Sequence, residues 1–327
     1  MRVISVACQK RGVGTTTCAI ALCQALGEMG HKVLLVDLDP QADATAMLRC
    51  DPSGGHMGTV MNIPPWDVGL AVRHNPTWEF DVAVSQLFLA RFEEPQRWGE
   101  ELDRLRLTKA LYEQWDRWDY VLIDCPPSFG PLTFNAFMAS RWVLAVCEPQ
   151  YLSVYGPGDL QRVAWRVRNN WHASLDIGGV ICNKWRFSPA EQEYLADVDL
   201  VFGGRAWHPP VPQRAVLAEM AVQGVPLRAL DGRPGAKGLA SLFARHAEAF
   251  IKADAAVFAR WPHDDGPDPD HPLVVDEFPP ESEYPPGWLE PVPDSEFFNQ
   301  FYGDDSEDED VDEDPGYDLN LRGDMLE

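Results

Sequence analysis

Short, mostly apolar runs alternate with longer amphipathic stretches over the first 250 residues of the chain. Continuous apolar runs are typical of strands buried on both faces, as in a parallel sheet covered by helices. The pattern therefore predicts an α/β fold with a doubly wound, mostly parallel sheet. The runs predicted to be strands are Val3–Ala7, Val33–Val36, Tyr120–Ile123, Trp142–Val146 and Val180–Cys182.

A βαβ unit opens this predicted sheet. Apolar residues between Ala19 and Leu26 recur on one helical face, and Gly30 then ends the helix before the second strand begins. Residues 46–118 have a less regular pattern, in which we expect one helix at Leu102–Trp115.

Charge divides the chain into two parts. The formal net charge is −24, and residues 261–327 hold 23 acidic residues against one basic residue, so residues 1–260 are close to neutral. A segment dominated by Pro, Asp and Glu cannot bury enough apolar surface to offset the entropy of ordering it. We therefore expect a folded domain at 1–255 and an acidic, Pro-rich, disordered tail at 256–327.

The tail contains one aromatic cluster, Phe297–Tyr302. Two interpretations stay open: chance aromatics in a solubilising tail, or a short motif that orders on a partner. The tail as a whole could bind a basic partner or mask a basic face of the domain.

Cysteine usage and the N-terminus indicate the compartment. The seven cysteines include no CxxC pair, and no signal-peptide pattern precedes the first strand. A cytoplasmic protein is expected on these grounds. No run of about 18 apolar residues occurs, so no membrane span is predicted.

The first strand leads into a loop of small residues at 9–17, and a helix follows. Backbone N–H groups of such a loop can close on a phosphate, and a helix N-terminus adds positive potential. The pattern GxxxxGK[ST] is not matched, because Gln9 stands at its first glycine and Thr15 at its lysine. Thr16 is placed to offer a hydroxyl to Mg²⁺. A ligand-free strand-to-helix turn is the alternative interpretation.

Acidic residues follow two of the predicted strands. Asp37 and Asp39 come at the end of the second strand, and Asp124 ends the strand at Tyr120–Ile123. The carboxyl ends of parallel strands face the ligand crevice of an open α/β sheet. A carboxylate there is a common Mg²⁺ anchor beside a phosphate loop, which weakens the ligand-free interpretation.

Taken in order, these motifs resemble the ParA/Soj/MinD family of dimerising P-loop ATPases. The resemblance covers about residues 1–252 and implies ATP and Mg²⁺ as cofactors. The matching segments are Lys10–Thr16 (the deviant phosphate loop KGGxGKT), Asp37–Thr45 (the first switch), Leu122–Ser128 (Walker B and the second switch), Glu148–Gly156, and Val211–Glu219 (the stretch IPRNVRxxE).

The resemblance also implies a role for each matching residue. Lys10 corresponds to the signature lysine that reaches the partner subunit's nucleotide, and Asp39 to the switch aspartate that orients the attacking water. Thr16 and Asp124 correspond to the Mg²⁺ site, which Asp37 supports. The nucleotide-binding residues would be Lys10, Arg11, Gly12, Val13, Gly14, Thr15, Thr16 and Thr17 at the phosphates, with Asn183 and Pro212 near the base.

Two positions in the loop depart from the family pattern. Thr15 replaces the phosphate-loop lysine, and Arg11 replaces a glycine. Losing one charge-assisted hydrogen bond should weaken ATP binding by about tenfold to a hundredfold. Hydrolysis should suffer more, because charge stabilisation is the main part of phosphoryl-transfer catalysis. Arg11 could place its guanidinium in the gap, or it could point to solvent.

DNA binding is the less favoured partner interpretation. Gln213 and Val216 stand where the family has DNA-binding arginines, with Arg214 between them. Because phosphate contacts dominate DNA affinity, a near-neutral domain with an acidic tail should bind DNA weakly. The remaining basic candidates are Arg162, Arg166, Arg168, Arg205, Arg228, Arg233, Lys237 and Arg245.

The leading functional hypothesis is a nucleotide-switched homodimer that positions or segregates a cargo. The cargo would be a plasmid, chromosome or protein assembly, an adaptor of the ParB kind would reset the dimer, and the nucleoid is one place where it could act. The alternative is a pseudo-ATPase scaffold that binds little or no nucleotide and works through protein contacts. A decoy regulator that pairs with an intact relative is the third possibility.

Overall fold

The computed structural model describes residues 1–8, 10–62, 64–94, 104–149, 155–172 and 174–260. The strands are β1 (Arg2–Ala7), β2 (Val33–Asp37), β3 (Val72–Asn75), β4 (Phe80–Ala83), β5 (Tyr120–Asp124), β6 (Trp142–Cys147) and β7 (Asp176–Cys182). The helices are α1 (Thr15–Glu28), α2 (Asp43–Met47), α3 (Met57–Asn62), α4 (Arg106–Tyr112), α5 (Pro131–Ala139), α6 (Tyr155–Asn170), α7 (Pro189–Val201), α8 (Ala215–Gln223) and α9 (Ala236–Arg260). Short 3₁₀ turns lie at Val68–Leu70, Leu87–Phe92 and Leu227–Leu230.

The strands form one seven-stranded sheet in the order β3-β4-β2-β5-β1-β6-β7. Every neighbouring pair is parallel except β3 and β4, which are antiparallel at one edge. The doubly wound, mostly parallel sheet predicted from the apolar runs is therefore confirmed, and each of those runs lies in a strand.

Alternate residues of the central strands contact different helix layers. Ile4 and Val6 of β1 join the apolar cluster of α1 and α9. Ser5 points to the other face, where its hydroxyl lies 2.7 Å from the Ser140 hydroxyl after α5. Because both faces are covered, these strands need continuous apolar sequence.

Helix α9 closes the first of these layers. Phe250 packs against Trp142 of β6, with ring centroids 5.0 Å apart. Asp254, which is fully buried, accepts hydrogen bonds from the Trp142 indole at 3.2 Å and from Arg2 at 2.5 Å. The helix continues to Arg260, across the predicted domain boundary at residue 255, so that boundary stays a prediction.

The region at 46–118 is where the sequence pattern was least informative. It contains the β3–β4 hairpin, which was not predicted, and its turn is closed by Asn75, whose side-chain oxygen accepts from Thr77 N at 3.1 Å. The helix expected at Leu102–Trp115 is described from Arg106 to Tyr112.

The predicted tail lies outside the described residues from 261 onward, and with it the cluster Phe297–Tyr302. In the part that is described, none of the helices has the length and apolar composition that crossing a membrane requires.

Candidate nucleotide site

The loop between β1 and α1 has the backbone conformation of a phosphate-binding turn. Gly12 and Gly14 both have positive φ, at 79° and 90°. Helix α1 begins directly after Gly14, so its first N–H groups face the loop. A Cβ on Gly14 would lie 2.3 Å from the side-chain nitrogen of Asn183, so this position has room only for glycine.

Thr15 does not face the crevice. It is buried, and its hydroxyl donates to the Cys8 sulfur at 2.8 Å. Burial raises the pKa of the Cys8 thiol to about 11, so this sulfur is a neutral acceptor. In contrast, Thr16 and Thr17 are half-buried, while Lys10 and Arg11 are exposed.

Asp37 and Asp124 are register partners in the neighbouring strands β2 and β5. Both oxygens of Asp37 are engaged: one accepts from Thr45 N at 2.8 Å and Thr45 Oγ1 at 2.6 Å, and the other from Asp39 N at 3.3 Å. Burial nevertheless raises the pKa of Asp37 to about 7. The carboxylate thus anchors the start of α2 while lying beside Asp124.

Asp124 is buried, and neither carboxylate oxygen has a regular hydrogen-bond partner among the described residues. Burial, and next the charge of Asp37, raise its pKa well above the usual value, while the Thr16 hydroxyl lowers it. A buried carboxylate with so few donors is costly unless a cation neutralises it. Asp124 and Thr16 are therefore chemically suited to a hard cation.

Asp39 lies after β2 in a half-buried position. Burial raises its pKa, opposed by a hydrogen bond from Gln41 N at 2.9 Å and by the positive charge of Arg11. The Arg11 guanidinium therefore acts electrostatically on the first switch. We call Asp37, Asp39 and Asp124 the carboxylate side of the loop.

The opposite flank of the loop is formed by residues that follow β6 and β7. Asn183 donates from its side chain to Val13 O at 2.7 Å. The Lys184 ammonium contacts Gly12 O and lies 2.5 Å from Glu148 Oε1, and the Lys10 ammonium lies 4.0 Å from Glu148 Oε2. We call Lys10, Glu148, Asn183 and Lys184 the lysine side.

Two of these residues, Glu148 and Lys184, were not among the predicted site residues. Each follows the carboxyl end of a buried strand, the same signal that selected the aspartates. Pro212 also lies on this side, because Val211 N donates to Cys182 O at 2.8 Å and Pro212 bridges to Trp185. The structure thus brings Asn183 into contact with the loop and places Pro212 beside the segment that follows β7.

Glu93 is a further residue that the sequence pattern missed. Its carboxylate accepts from Ser128 Oγ at 2.9 Å and Leu132 N at 3.1 Å. Burial raises the pKa of Glu93, and the nearby charge of Asp39 adds to that rise. Glu93 therefore ties the second switch segment to the start of α5 within range of Asp39.

The candidate DNA-binding residues are largely engaged within the domain. Four of them form ion pairs with acidic neighbours. Exposed pairs of this kind contribute little to stability, but they reduce the positive charge offered to a polyanion. The pairs are Arg205 with Asp176 (2.9 Å), Arg228 with Glu28 (3.1 Å) and Glu79 (3.2 Å), Arg233 with Glu219 (3.0 Å), and Lys237 with Asp231 (3.3 Å).

Comparison with known proteins agrees with this geometry. The family model described as AAA domain (AAA_31) matches residues 1–177. The chromosome-partitioning ATPase Soj of Treponema pallidum is 30% identical over 236 residues, covering 69% of this chain and 88% of Soj. The chain belongs to the ParA/Soj family of P-loop ATPases.

Two further matches extend the comparison. An uncharacterised protein of Mycobacterium tuberculosis is 34% identical over 232 residues, covering 69% of this chain and 72% of its own length. A solved structure of cobyrinic acid a,c-diamide synthase from Mycobacterium smegmatis with bound ADP and magnesium superposes with a TM-score of 0.60. It is 28% identical and covers 68% of this chain and 90% of that one.

Proposed function

We propose that this ParA-like chain is a nucleotide-switched dimer that binds Mg-ATP and positions or segregates a cargo together with an adaptor protein. One observation carries the proposal: Asp124, buried and without a regular hydrogen bond from any described residue, lies beside Thr16 at the start of α1. A fold does not by itself assign a function, so the proposal rests on this site.

The side chains present fit a magnesium ion. Mg²⁺ is usually held by one or two protein oxygens together with substrate phosphates rather than by a full protein cage. No group of three metal-ligating side chains occurs among the described residues, and Thr16 with Asp124 supplies the smaller set. Asp37 supports Asp124 from the neighbouring strand. The bound ion would supply charge neutralisation at the phosphates.

Two residues are assigned roles in the reaction and the switch. Asp39, half-buried at the mouth of the crevice, would orient the attacking water. Lys10 is exposed and lies 4.0 Å from Glu148 of its own chain, so it would leave that carboxylate to reach the nucleotide of the partner subunit. Backbone groups of residues 10–17 would hold the phosphates, and Asn183 and Pro212 would contact the base.

The test is a titration of purified protein with ATP, with and without Mg²⁺, followed by a size measurement and a phosphate-release assay. We expect Mg-ATP to convert monomer to dimer, with slow phosphate release that Asp39→Ala abolishes. A chain that binds no nucleotide and keeps one size at every ATP concentration would contradict the proposal.

A pseudo-ATPase scaffold is the second candidate, and the position of Thr15 favours it. Because the Thr15 hydroxyl is turned onto Cys8, it does not replace the family's lysine at the phosphates. Under this alternative, Mg-ATP binds little or not at all and is not turned over, so Asp39→Ala leaves phosphate release at the blank rate of the wild-type protein.

The partners follow from the same proposal. A ParB-like adaptor in the cytoplasm would reset the dimer, and nonspecific DNA would bind weakly because four of the candidate basic residues are ion-paired. The acidic tail would mask the domain's basic face or bind a basic partner. Removing residues after 260 and measuring DNA affinity at fixed salt distinguishes the two: masking predicts a gain in affinity.

A further inference from the structure

Lys184 is the residue whose position the family resemblance does not explain. It follows β7, and its ammonium contacts Gly12 O inside the phosphate loop. Its backbone has φ of 59°, a left-handed conformation that costs free energy for a side chain with a Cβ. Residues held in this conformation are often found at functional sites, where the surrounding structure maintains them.

The conformation is maintained by a specific set of contacts. Asn183 fixes the start of the turn, because its side-chain oxygen accepts from Lys184 N at 2.8 Å while its nitrogen donates to Val13 O at 2.7 Å. Glu148, which is 6% exposed, then receives the ammonium at 2.5 Å. The side chain is therefore directed across the strand end onto the loop.

The loop has Thr15 where the family has its phosphate-loop lysine, and Thr15 is buried against Cys8. Resting on the proposed nucleotide-binding function, we propose that Lys184 supplies the positive charge that Thr15 does not, and that it is a phosphate-binding residue of this site. An ammonium has three donors, and the contacts with Gly12 and Glu148 use two of them. The side chain is 35% exposed, so the third donor is available to a phosphate oxygen.

Glu148 holds the two lysine ammonium groups when no nucleotide is bound. Its buried carboxylate lies between two ammonium groups, those of Lys184 and Lys10, and so offsets one of the two positive charges on the lysine side before an anion arrives. A polyphosphate carries more charge than one carboxylate, so it would draw the ammonium groups toward the loop. Lys184 thereby makes affinity depend on the number of phosphates.

The experiment compares wild-type protein with Lys184→Met in calorimetric titrations against Mg-ATP, Mg-ADP and AMP. Methionine keeps an unbranched side chain and the same backbone cost while removing the charge. Loss of one charge-assisted hydrogen bond should weaken Mg-ATP binding by about tenfold to a hundredfold. AMP binding should be unchanged, and Lys252→Met, on the exposed face of α9, should behave as wild type.

A second variant tests the substitution of one lysine for the other. Thr15→Lys in the Lys184→Met background should restore Mg-ATP affinity, because it returns the charge to the loop from another direction. Wild-type affinity in Lys184→Met would overturn the inference, and so would an equal loss for AMP and Mg-ATP, which indicates a structural role alone. If the double variant fails to fold, the nucleotide affinities of Lys184→Met alone decide whether the inference holds.

Failure of the proposed function is separable from failure of this inference. If wild-type protein binds none of the three nucleotides, the proposed function is wrong. Magnesium tripolyphosphate, which has no base or sugar, then probes the loop alone. Binding by wild type and loss in Lys184→Met supports the inference, and the absence of binding by both overturns it.

Discussion

The two flanks of the phosphate loop balance their charges in different ways. On the carboxylate side, both oxygens of Asp37 are hydrogen-bonded, whereas Asp124 has no regular partner in the described part of the chain, so the site has an excess of buried acid. On the lysine side, Glu148 is paired with two ammonium groups. The first flank requires a cation to become neutral, whereas the second has its acid paired and one positive charge in excess for an anion.

This difference indicates that the two flanks bind different ligands. A buried carboxylate with few donors favours binding of a cation or of a proton, whereas a buried ion pair must be broken before it can bind a ligand. Metal and phosphate would thus act on opposite flanks, and variants of each flank should have different signatures.

The largest expected effect is on the free energy of unfolding, when a side chain is added at Gly14 between the two flanks. Gly14→Ala places a Cβ 2.3 Å from the Asn183 side chain at φ of 90°, whereas Gly12→Ala, at φ of 79°, meets nothing within 4 Å. Both should lose about 1 kcal/mol for left-handed backbone, and Gly14→Ala about 1–3 kcal/mol more for overpacking. Urea unfolding of both variants measures this, and equal losses would show that Asn183 moves aside freely.

The next largest effect is on the stabilisation that Mg²⁺ adds when ATP binds. Mg-ATP at 100 times its Kd should stabilise wild-type protein by about 2.7 kcal/mol. Asp124→Asn should abolish the Mg²⁺-dependent part of that gain and leave the free protein at least as stable, since asparagine carries no buried charge. Asp119→Asn, at the opposite end of β5, is the control. Thermal unfolding with and without Mg²⁺ is the measurement, and a retained Mg²⁺ effect in Asp124→Asn would remove Asp124 from the metal site.

A smaller effect tests the hydrogen bonds that satisfy Asp37. Thr45 Oγ1 donates to Asp37 at 2.6 Å and accepts from Ser85 N at 2.8 Å. Thr45→Val should cost about 1–3 kcal/mol because it leaves the buried Ser85 N–H without its acceptor and removes one of the three hydrogen bonds to Asp37. Thr108→Val is the matched control, because the buried Thr108 hydroxyl has no hydrogen-bond partner among the described residues. Similar unfolding free energies for the two variants would contradict the anchoring role of Thr45.

The smallest expected effect is the pH dependence of the unfolding free energy that arises from Glu93. Burial raises the pKa of Glu93 above its ordinary 4.5, so the folded state holds the proton more tightly than the unfolded state. Its contribution to stability is therefore complete below pH 4.5 and is lost as pH rises through the raised pKa. Glu93→Gln should remove that loss, because its side-chain oxygen can still accept from Leu132 N and its amide nitrogen can donate to Ser128 Oγ. Unfolding free energies of both proteins between pH 4.5 and 7 should diverge with pH, and parallel curves would refute the assignment.

The sequence predicted the parallel strands well because each is buried on both faces. Val33–Val36 and Trp142–Val146 are apolar throughout, and only a covered sheet makes such runs favourable. The β3–β4 hairpin escaped prediction because Val72–Asn75 is mostly polar and partly exposed, and its pairing depends on a partner strand rather than on its own pattern.

Among the site residues, the sequence by itself determined the loop, the aspartates at the strand ends and the family, because these depend on local order along the chain. The tertiary structure alone decided that Thr15 turns onto Cys8, that Asp124 has no regular hydrogen bond from the described residues while Asp37 has several, and that Lys184 reaches Gly12. Side-chain direction and charge pairing depend on neighbours distant in sequence, and the parallel order β5-β1-β6-β7 is what brings those neighbours to one edge of the sheet.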